Sequence, residues 1–281
     1  MTEDTTTADE SDGGDRQFVT ALARGLDILG CFRPQDRFLS NHEISRRTGL
    51  ARPTVSRLTY TLTKTGHLMR DEASGAYRLA AQVLRLGFSV LAAMDLAERC
   101  SAEMEALQEG ANPYVSVALA ERSGTRAVYL AVRRRQQAVS LSIDVGARLP
   151  LFYSAIGRAI LVGMAEGRRE EALRAAAQEF PEQRERMKKG LEDALADYGR
   201  FGYCTNFGVW KPEINAIAAP LRSLDGTSIY GLNVGGPSFL VGAEALHRDY
   251  GPRLVSAVGR LGGVEAGPAA SVRRPAGTAA T

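Results

Sequence analysis

The sequence predicts an α+β protein: an N-terminal winged helix-turn-helix domain, a linker helix and a C-terminal α/β domain. Three observations carry this prediction. The 281 residues suffice for about two domains of ordinary size. Apolar residues recur with helical period through the first sixty ordered positions and with period two in several later segments. Between them, two short helical patterns joined by a glycine turn are followed by a hairpin pattern. A hydrophobic content of 44% with 24% charged residues excludes a chain that is disordered, collagen-like or coiled-coil throughout. No run approaches the roughly 18 apolar residues of a membrane span.

In chain order, residues 1–16 form an acidic tail rich in Thr, Asp, Glu and Gly, a composition that predicts disorder. It lacks the basic and apolar parts of a signal peptide, which predicts a cytoplasmic protein. A helix follows with Thr20 as N-cap, carrying Leu22, Leu26, Leu29 and Phe32, and Pro34 lies just past its end. Ser40 precedes Glu43 by the spacing of a capping box, so a second helix starts at Asn41 and turns Ile44 inward. It stops at Thr48-Gly49, because glycine adopts the left-handed turn at least cost. Pro53 fits the first turn of a third helix, where its missing N–H is no loss. Val55, Leu58 and Leu62 share one face of that helix. Leu68-Met69-Arg70 and Tyr77-Arg78-Leu79 then flank a turn, completing a domain over 17–80.

Residues 81–110 read as a long amphipathic helix with a break near Asp95 and with Leu84, Phe88, Leu91 and Met94 on a stripe, a linker suited to dimerisation, with packing on its own domain as the alternative. The second domain spans 111–262. Strand alternation marks Val115 to Leu119, Val128 to Val132 and Val139 to Ile143; helices are expected at 153–165, 168–179 and 182–200, and strands at 203–207, 214–219 and 228–235. A last helix covers 242–261, and residues 263–281 form a second tail with the composition of disorder. Cys31, Cys100 and Cys204 lie far apart and read as small buried hydrophobes. They share no ligand spacing with His42, His67 and His247, so neither a metal nor a cofactor is expected. Arg133-Arg134-Arg135 reads as a solvated strand end.

The net charge of +3 conceals an uneven distribution: −5 over residues 1–16, +5 over 17–80 and the remainder spread thinly. A basic excess within a small helical domain is the footprint of phosphate-backbone binding. The third helix is the one that would enter a major groove, with Arg52 and Arg57 as candidates for guanine or phosphate and Thr54, Ser56 and Tyr60 as shorter-range contacts. Arg46, Arg47 and Lys64 are placed for backbone positioning, and Arg70 and Arg78 flank the wing. The expected partner is therefore double-stranded DNA.

Several segments together resemble the isocitrate lyase regulator (IclR) family: FVTALARGLDILGCF, LSNHEISRRTGLARPTVSRLTYTL, AYRLA, LRLG, LPLFYSAIGRAIL and INAIAAPLRSLDGTSIYGLNVGGP. The resemblance covers roughly residues 18–262. It implies that the second domain is a GAF-like effector-binding domain and that the chain is a one-component transcription regulator acting as a dimer or tetramer on a palindromic operator, with repression as the default sign and activation as the alternative. Carried over by position, the effector pocket comprises Leu141, Ala155, Ile156, Asn206, Ala216, Asn233 and Gly235. Strand period supports part of this separately: Tyr230, Leu232 and Val234 share one face, leaving Asn233 and Gly235 on the other. The alternative for Asn233 is a loop cap or a solvated position.

Against the family pattern, Asn206 stands where many members have an acid, Ala216 replaces a cysteine, and Phe152, Tyr153 and Ile156 replace small residues. Gly208-Val209-Trp210-Lys211-Pro212 replaces an acidic cluster. These departures imply an effector other than a small keto acid: a small organic acid that is larger and aromatic, with Lys211 or Arg158 available for its carboxylate. In the competing reading Trp210 and Phe152 simply pack. The chain contains no GxSxG, HExxH, P-loop or dinucleotide fingerprint, so an enzyme is a remote alternative, as is a protein-interaction module.

Overall fold

Ser40, Gly49 and Pro53 set the first domain as local chemistry requires. The structure, a computed structural model, describes residues 17–92, 95–137, 143–223 and 225–262, without the side chains of residues 88–97. The chain divides into two units between Ala93 and Met94. In the first, α1 (Thr20–Gly30), α2 (Asn41–Thr48) and α3 (Arg52–Lys64) precede a hairpin of β1 (Leu68–Arg70) and β2 (Tyr77–Leu79), and α4 (Ala81–Ala92) follows. The Ser40 hydroxyl accepts the Glu43 N–H at 3.2 Å while the Glu43 carboxylate accepts the Ser40 N–H at 2.9 Å. Gly49 ends α2 at φ 72°, the left-handed conformation that glycine adopts without a Cβ clash. Leu39 bridges to Tyr77, tying the wing to the loop before α2.

The core of this unit is Ile28, Leu39, Ile44, Val55, Leu68 and Tyr77. Two expectations change here. Thr20 is the first residue of α1 and Val19 stands at the cap without a side-chain bond. The apolar period of α1 also marks an open face: Leu22 is 62% and Leu26 57% exposed, whereas Ile28 is fully buried. Periodicity finds a stripe but not what covers it.

The second unit is a six-stranded antiparallel sheet of order β5-β4-β3-β8-β7-β6. Its strands are β3 (Ser116–Ser123), β4 (Arg126–Arg134), β5 (Arg148–Pro150), β6 (Cys204–Phe207), β7 (Ile214–Arg222) and β8 (Ile229–Pro237). Helices α5 (Asp95–Gln108) and α10 (Gly251–Arg260) cover one face; α6 (Ala155–Gly163), α7 (Glu166–Glu179) and α8 (Arg184–Phe201) lie on the other. Strand alternation assigns the faces by size. Val117, Leu119, Ile217, Leu232 and Val234 meet Cys100, Met104 and Leu254, whereas Ala118, Ala120, Ala216 and Ala218 meet Ile156 and Ile160. The alanine face lets α6 approach closely: a Cβ on Gly231 would sit 2.9 Å from the Ile156 carbonyl oxygen.

Residues 81–110 contain two helices, with α5 starting at Asp95 where the break was expected, and α5 contributes Cys100, Met104 and Leu107 to the core of the second unit. Of the stripe expected on α4, Leu84 is 73% exposed, and the side chains of Phe88, Leu91 and Met94 lie outside the described residues. Val139 and Leu141 also lie outside them; the sheet takes Arg148–Pro150 as its edge strand instead. Between α9 (Ala243–Ala245) and α10, a π-helical turn at Leu246–Tyr250 interrupts the expected last helix. Arg133 and Arg134, read as a solvated strand end, pair with Glu105 at 3.7 Å and Asp144 at 2.5 Å.

Candidate nucleic-acid interface and effector cavity

Helix α3 buries Val55 and Thr59 and exposes Arg52, Ser56, Arg57, Tyr60 and Lys64, while Thr54 is half-buried. Thr59 was not legible as a core position. It is tolerated because its hydroxyl donates to the Val55 carbonyl at 2.9 Å. The exposed residues are partly pre-arranged. Arg52 Nη2 lies 2.8 Å from His42 Nδ1, Asn41 Nδ2 donates to Ser56 Oγ at 3.2 Å, and the Lys64 ammonium stands 5.5 Å over the Tyr60 ring. His42 and Asn41, both on α2, therefore steady the first half of α3. Neither is among the DNA-contact candidates the sequence offers, because their roles at α3 arise where two helices cross.

The other candidate cations differ in placement. Arg46 is exposed, but Arg47 is not free to meet a phosphate. Its guanidinium donates to both carboxylate oxygens of Asp36 and, at 3.0 Å, to the Cys31 carbonyl, which closes the loop between α1 and α2. That partner holds the Asp36 carboxyl below the usual carboxylate range. Arg78 extends from the wing, and Arg70 folds towards the turn at Gly75.

In the second unit a small cavity lies between the alanine face of the sheet and the start of α6. Ala155, Ile156, Asn206, Ala216, Asn233 and Gly235, expected from separate stretches, all line it, while Leu141 lies outside the described residues. Strand register brings them together: Asn206 pairs with Ala216, Ala216 with Gly235 and Ala118 with Asn233. Gly235 allows the sheet to close, since a Cβ there would stand 2.7 Å from both the Ala216 methyl and the Asn215 carbonyl oxygen. The cavity is small, about 20 Å³, close to the size of one water site.

Its polar groups are neutral. Asn206 Nδ2 donates to the Tyr153 carbonyl and its Oδ1 accepts the Trp210 N–H at 3.5 Å. The Tyr129 hydroxyl lies 3.5 Å from Asn233 Oδ1, and complete burial pushes its pKa far above the phenol range. Ser154 caps α6 by accepting the Gly157 N–H at 3.2 Å, and the preceding amides, of Ala155 and Ile156, have no acceptor among the described residues. Ser116, Tyr129 and Trp210 complete much of the lining; Ser116 and Tyr129 were missed as pocket residues, whereas Trp210 beside the site was one of the two readings of the sequence. Tyr129 was hidden because strict alternation puts Val128, Leu130 and Val132 on one face, whereas the register shift opposite Leu119 and Ala120 brings Val132 to the same side as Tyr129. The burial of Ala127 and Tyr129 marks the cavity face instead.

The cations expected for a carboxylate are used elsewhere. Arg158 is buried and donates to the carbonyls of Phe152 at 3.2 Å and Thr205 at 2.9 Å. Lys211 is exposed and stands 4.9 Å over the Trp210 ring. Phe152 and Tyr153 line a second, neighbouring cavity, and Trp210 borders both.

A winged helix pair in one unit and a polar cavity under an antiparallel sheet in the other define a one-component transcription regulator. The comparisons with known proteins make this specific. The IclR helix-turn-helix domain matches residues 21–72 and the bacterial transcriptional regulator IclR C-terminal domain matches residues 88–258, so the chain belongs to the IclR family. It is 30% identical to the HTH-type transcriptional regulator TsaQ1/TsaQ2 of Comamonas testosteroni over 238 residues, 84% of each chain. It is 39% identical to an IclR family transcriptional regulator from Brucella abortus of known structure, with TM-score 0.75 over 92% of this chain and 98% of that one. A homologue from Microbacterium hydrocarbonoxydans, crystallised with 4-hydroxybenzoate, shares the fold at 23% identity and TM-score 0.61, over 86% of this chain and 95% of that one. The family consists of DNA-binding regulators rather than enzymes. Among the described residues no helix is long and apolar enough to cross a membrane.

Proposed function

We propose that this regulator binds a palindromic operator as a dimer, alone or paired into a tetramer, represses in the unliganded state and is released by an aromatic carboxylate. The observation that carries the DNA reading is the exposed face of α3, where Arg52, Ser56, Arg57, Tyr60 and Lys64 are clear of the core that Val55 and Thr59 enter. An α-helix with such a face fits a major groove, where a guanidinium reads guanine and shorter donors position the backbone.

For the effector, the cavity supplies the Asn233 side-chain N–H groups and the first amides of α6, while Tyr129 donates to Asn233 Oδ1 and Asn206 is held by the Tyr153 carbonyl. A helix N-terminus favours an anion, and the apolar walls of Ile156, Leu149 and Trp210 suit a ring. The Microbacterium protein of the same fold holds such a molecule. A cavity of about 20 Å³ must widen to admit it. Ligand entry therefore moves Ile156 or Trp210, and so gives the two states different affinities for the ligand. A changed separation of the two recognition helices in the dimer then lowers operator affinity.

The test is fluorescence anisotropy on the DNA upstream of the gene, with 4-hydroxybenzoate as the probe effector. Arg57→Ala weakens operator binding by about 1–3 kcal/mol and reduces its salt dependence. Asn233→Ala leaves operator binding intact and removes release by the probe. Operator binding that is insensitive to salt and unchanged in both Arg52→Ala and Arg57→Ala would falsify the DNA reading.

A further inference from the structure

The second cavity, next to the effector cavity, has about 340 Å³ of space, within the range of small-molecule sites. Three arginines reach it from two sides. Arg126 comes from β4, Arg148 from its neighbour, the edge strand β5, and Arg186 from α8. None of the three has an ion-pair partner among the described residues. The nearby carboxylates are engaged at the rim: Glu179 accepts from Thr125 Oγ1 at 2.6 Å and Glu182 from Gln183 Nε2 at 3.2 Å.

The floor beneath these cations is apolar and closed. Leu151, Phe152, Tyr153, Ala176 and Met187 are all buried. Two of the arginines already stand over aromatic rings, Arg186 at 4.5 Å from the Tyr153 centroid and Arg126 at 5.2 Å from that of Phe180. A guanidinium stacked on a ring is oriented and stripped of water on one face; Arg186 is further fixed by Nη2, which donates to the Val209 carbonyl at 3.2 Å, leaving its other N–H groups for a ligand. Guanidinium forks match carboxylates, and aromatic walls match a planar ring.

We infer that this cavity is a second ligand site, which takes an aromatic carboxylate between the sheet arginines, Arg126 and Arg148, and Arg186. It is separate from the effector cavity and does not depend on that cavity being one. Its position gives it leverage on its neighbour. The segment 151–154 divides the two cavities, and Asn206, on the effector side, donates to the carbonyl of Tyr153, whose ring lines the arginine side. Helix α8 is pressed onto the same segment, since a Cβ on Gly190 would lie 2.5 Å from the Phe152 carbonyl oxygen. Occupancy of the arginine cavity therefore tightens or shifts the wall of the effector cavity.

Trp210, the single tryptophan of the chain, borders both cavities and reports on them. The experiment titrates the full-length protein with terephthalate, and with uncharged terephthalamide, by calorimetry and tryptophan emission. Terephthalate binds saturably and alters the emission; terephthalamide binds at least about tenfold more weakly, as loss of the charged contact requires. The double variant Arg126→Gln/Arg186→Gln weakens terephthalate by about tenfold or more, while Asn233→Ala leaves this event unchanged. Arg148→Glu, at an exposed side chain whose replacement leaves the core intact, has the same effect and serves if the double variant fails to fold. The inference is overturned if terephthalate does not bind, if terephthalamide binds equally well, or if Asn233→Ala abolishes binding that the folded arginine variants retain. Because operator release is not the readout, failure here is distinct from failure of the effector reading.

Discussion

Arg47 and Arg57 look alike in the sequence, two arginines on consecutive short helices, and the structure gives them different roles. Arg57 is exposed on α3, whereas Arg47 is bound to Asp36 and to the Cys31 carbonyl. Spacing could not separate them, because the partner of Arg47 lies in a loop whose path is not periodic. The pair has a pH signature. Since the Asp36 carboxyl is depressed in the folded chain, its contribution to stability is complete above the ordinary carboxylate pKa of about 3.9 and is lost as pH falls through the depressed value. Asp36→Asn therefore lowers the melting temperature by a few degrees at neutral pH. The gap between wild type and variant closes only in acid, below about pH 4, as thermal melts over a pH series will measure. A gap that persists unchanged at lower pH would assign the stabilisation to shape rather than charge.

At the scale of elements, the clearest sequence signals were those in which chemistry acts between neighbours. The box of Ser40 and Glu43, the left-handed Gly49 and the early Pro53 set α2 and α3 where they were expected. Strand β8 was equally legible, because its alternation sends Leu232 and Val234 one way and Asn233 and Gly235 the other. Strand β5 was not, since three residues at a sheet edge carry no period. Helix α6 illustrates a conflict between local and tertiary preference. Alanine is a better helix former than glycine by about 1 kcal/mol, yet a Cβ at Gly157 would stand 2.3 Å from the Leu151 carbonyl oxygen. Gly157→Ala consequently destabilises the protein, by about 1–3 kcal/mol in denaturant unfolding, the usual range for overpacking. An increase in stability would mean that segment 151–154 is free to yield.

Across the whole molecule, the first unit leaves Leu22, Leu26, Leu84 and Leu86 exposed. Together with Tyr60, Leu22, Leu26 and Leu86 line one groove of that unit, a contiguous apolar surface. Such a surface suits the dimer proposed above. Leu22→Glu introduces charge there without touching the core, so light scattering finds half the wild-type mass. Operator affinity falls because one half-site then binds alone. An unchanged mass would place the subunit contact elsewhere.

The sequence by itself determined the two-part plan, the helix pair with its wing, and the identity of several cavity residues drawn from stretches as distant as Ala155 and Asn233. Those features follow from interactions between residues close in the chain, or from motif order that the family resemblance carries. Only the tertiary structure decided that Arg47 and Arg158 are committed to scaffolding while Arg126, Arg148 and Arg186 converge on an open cavity. The physical reason is that a charged side chain is defined by what it meets. Those partners come from other elements, brought together by strand register and helix packing that no local pattern records.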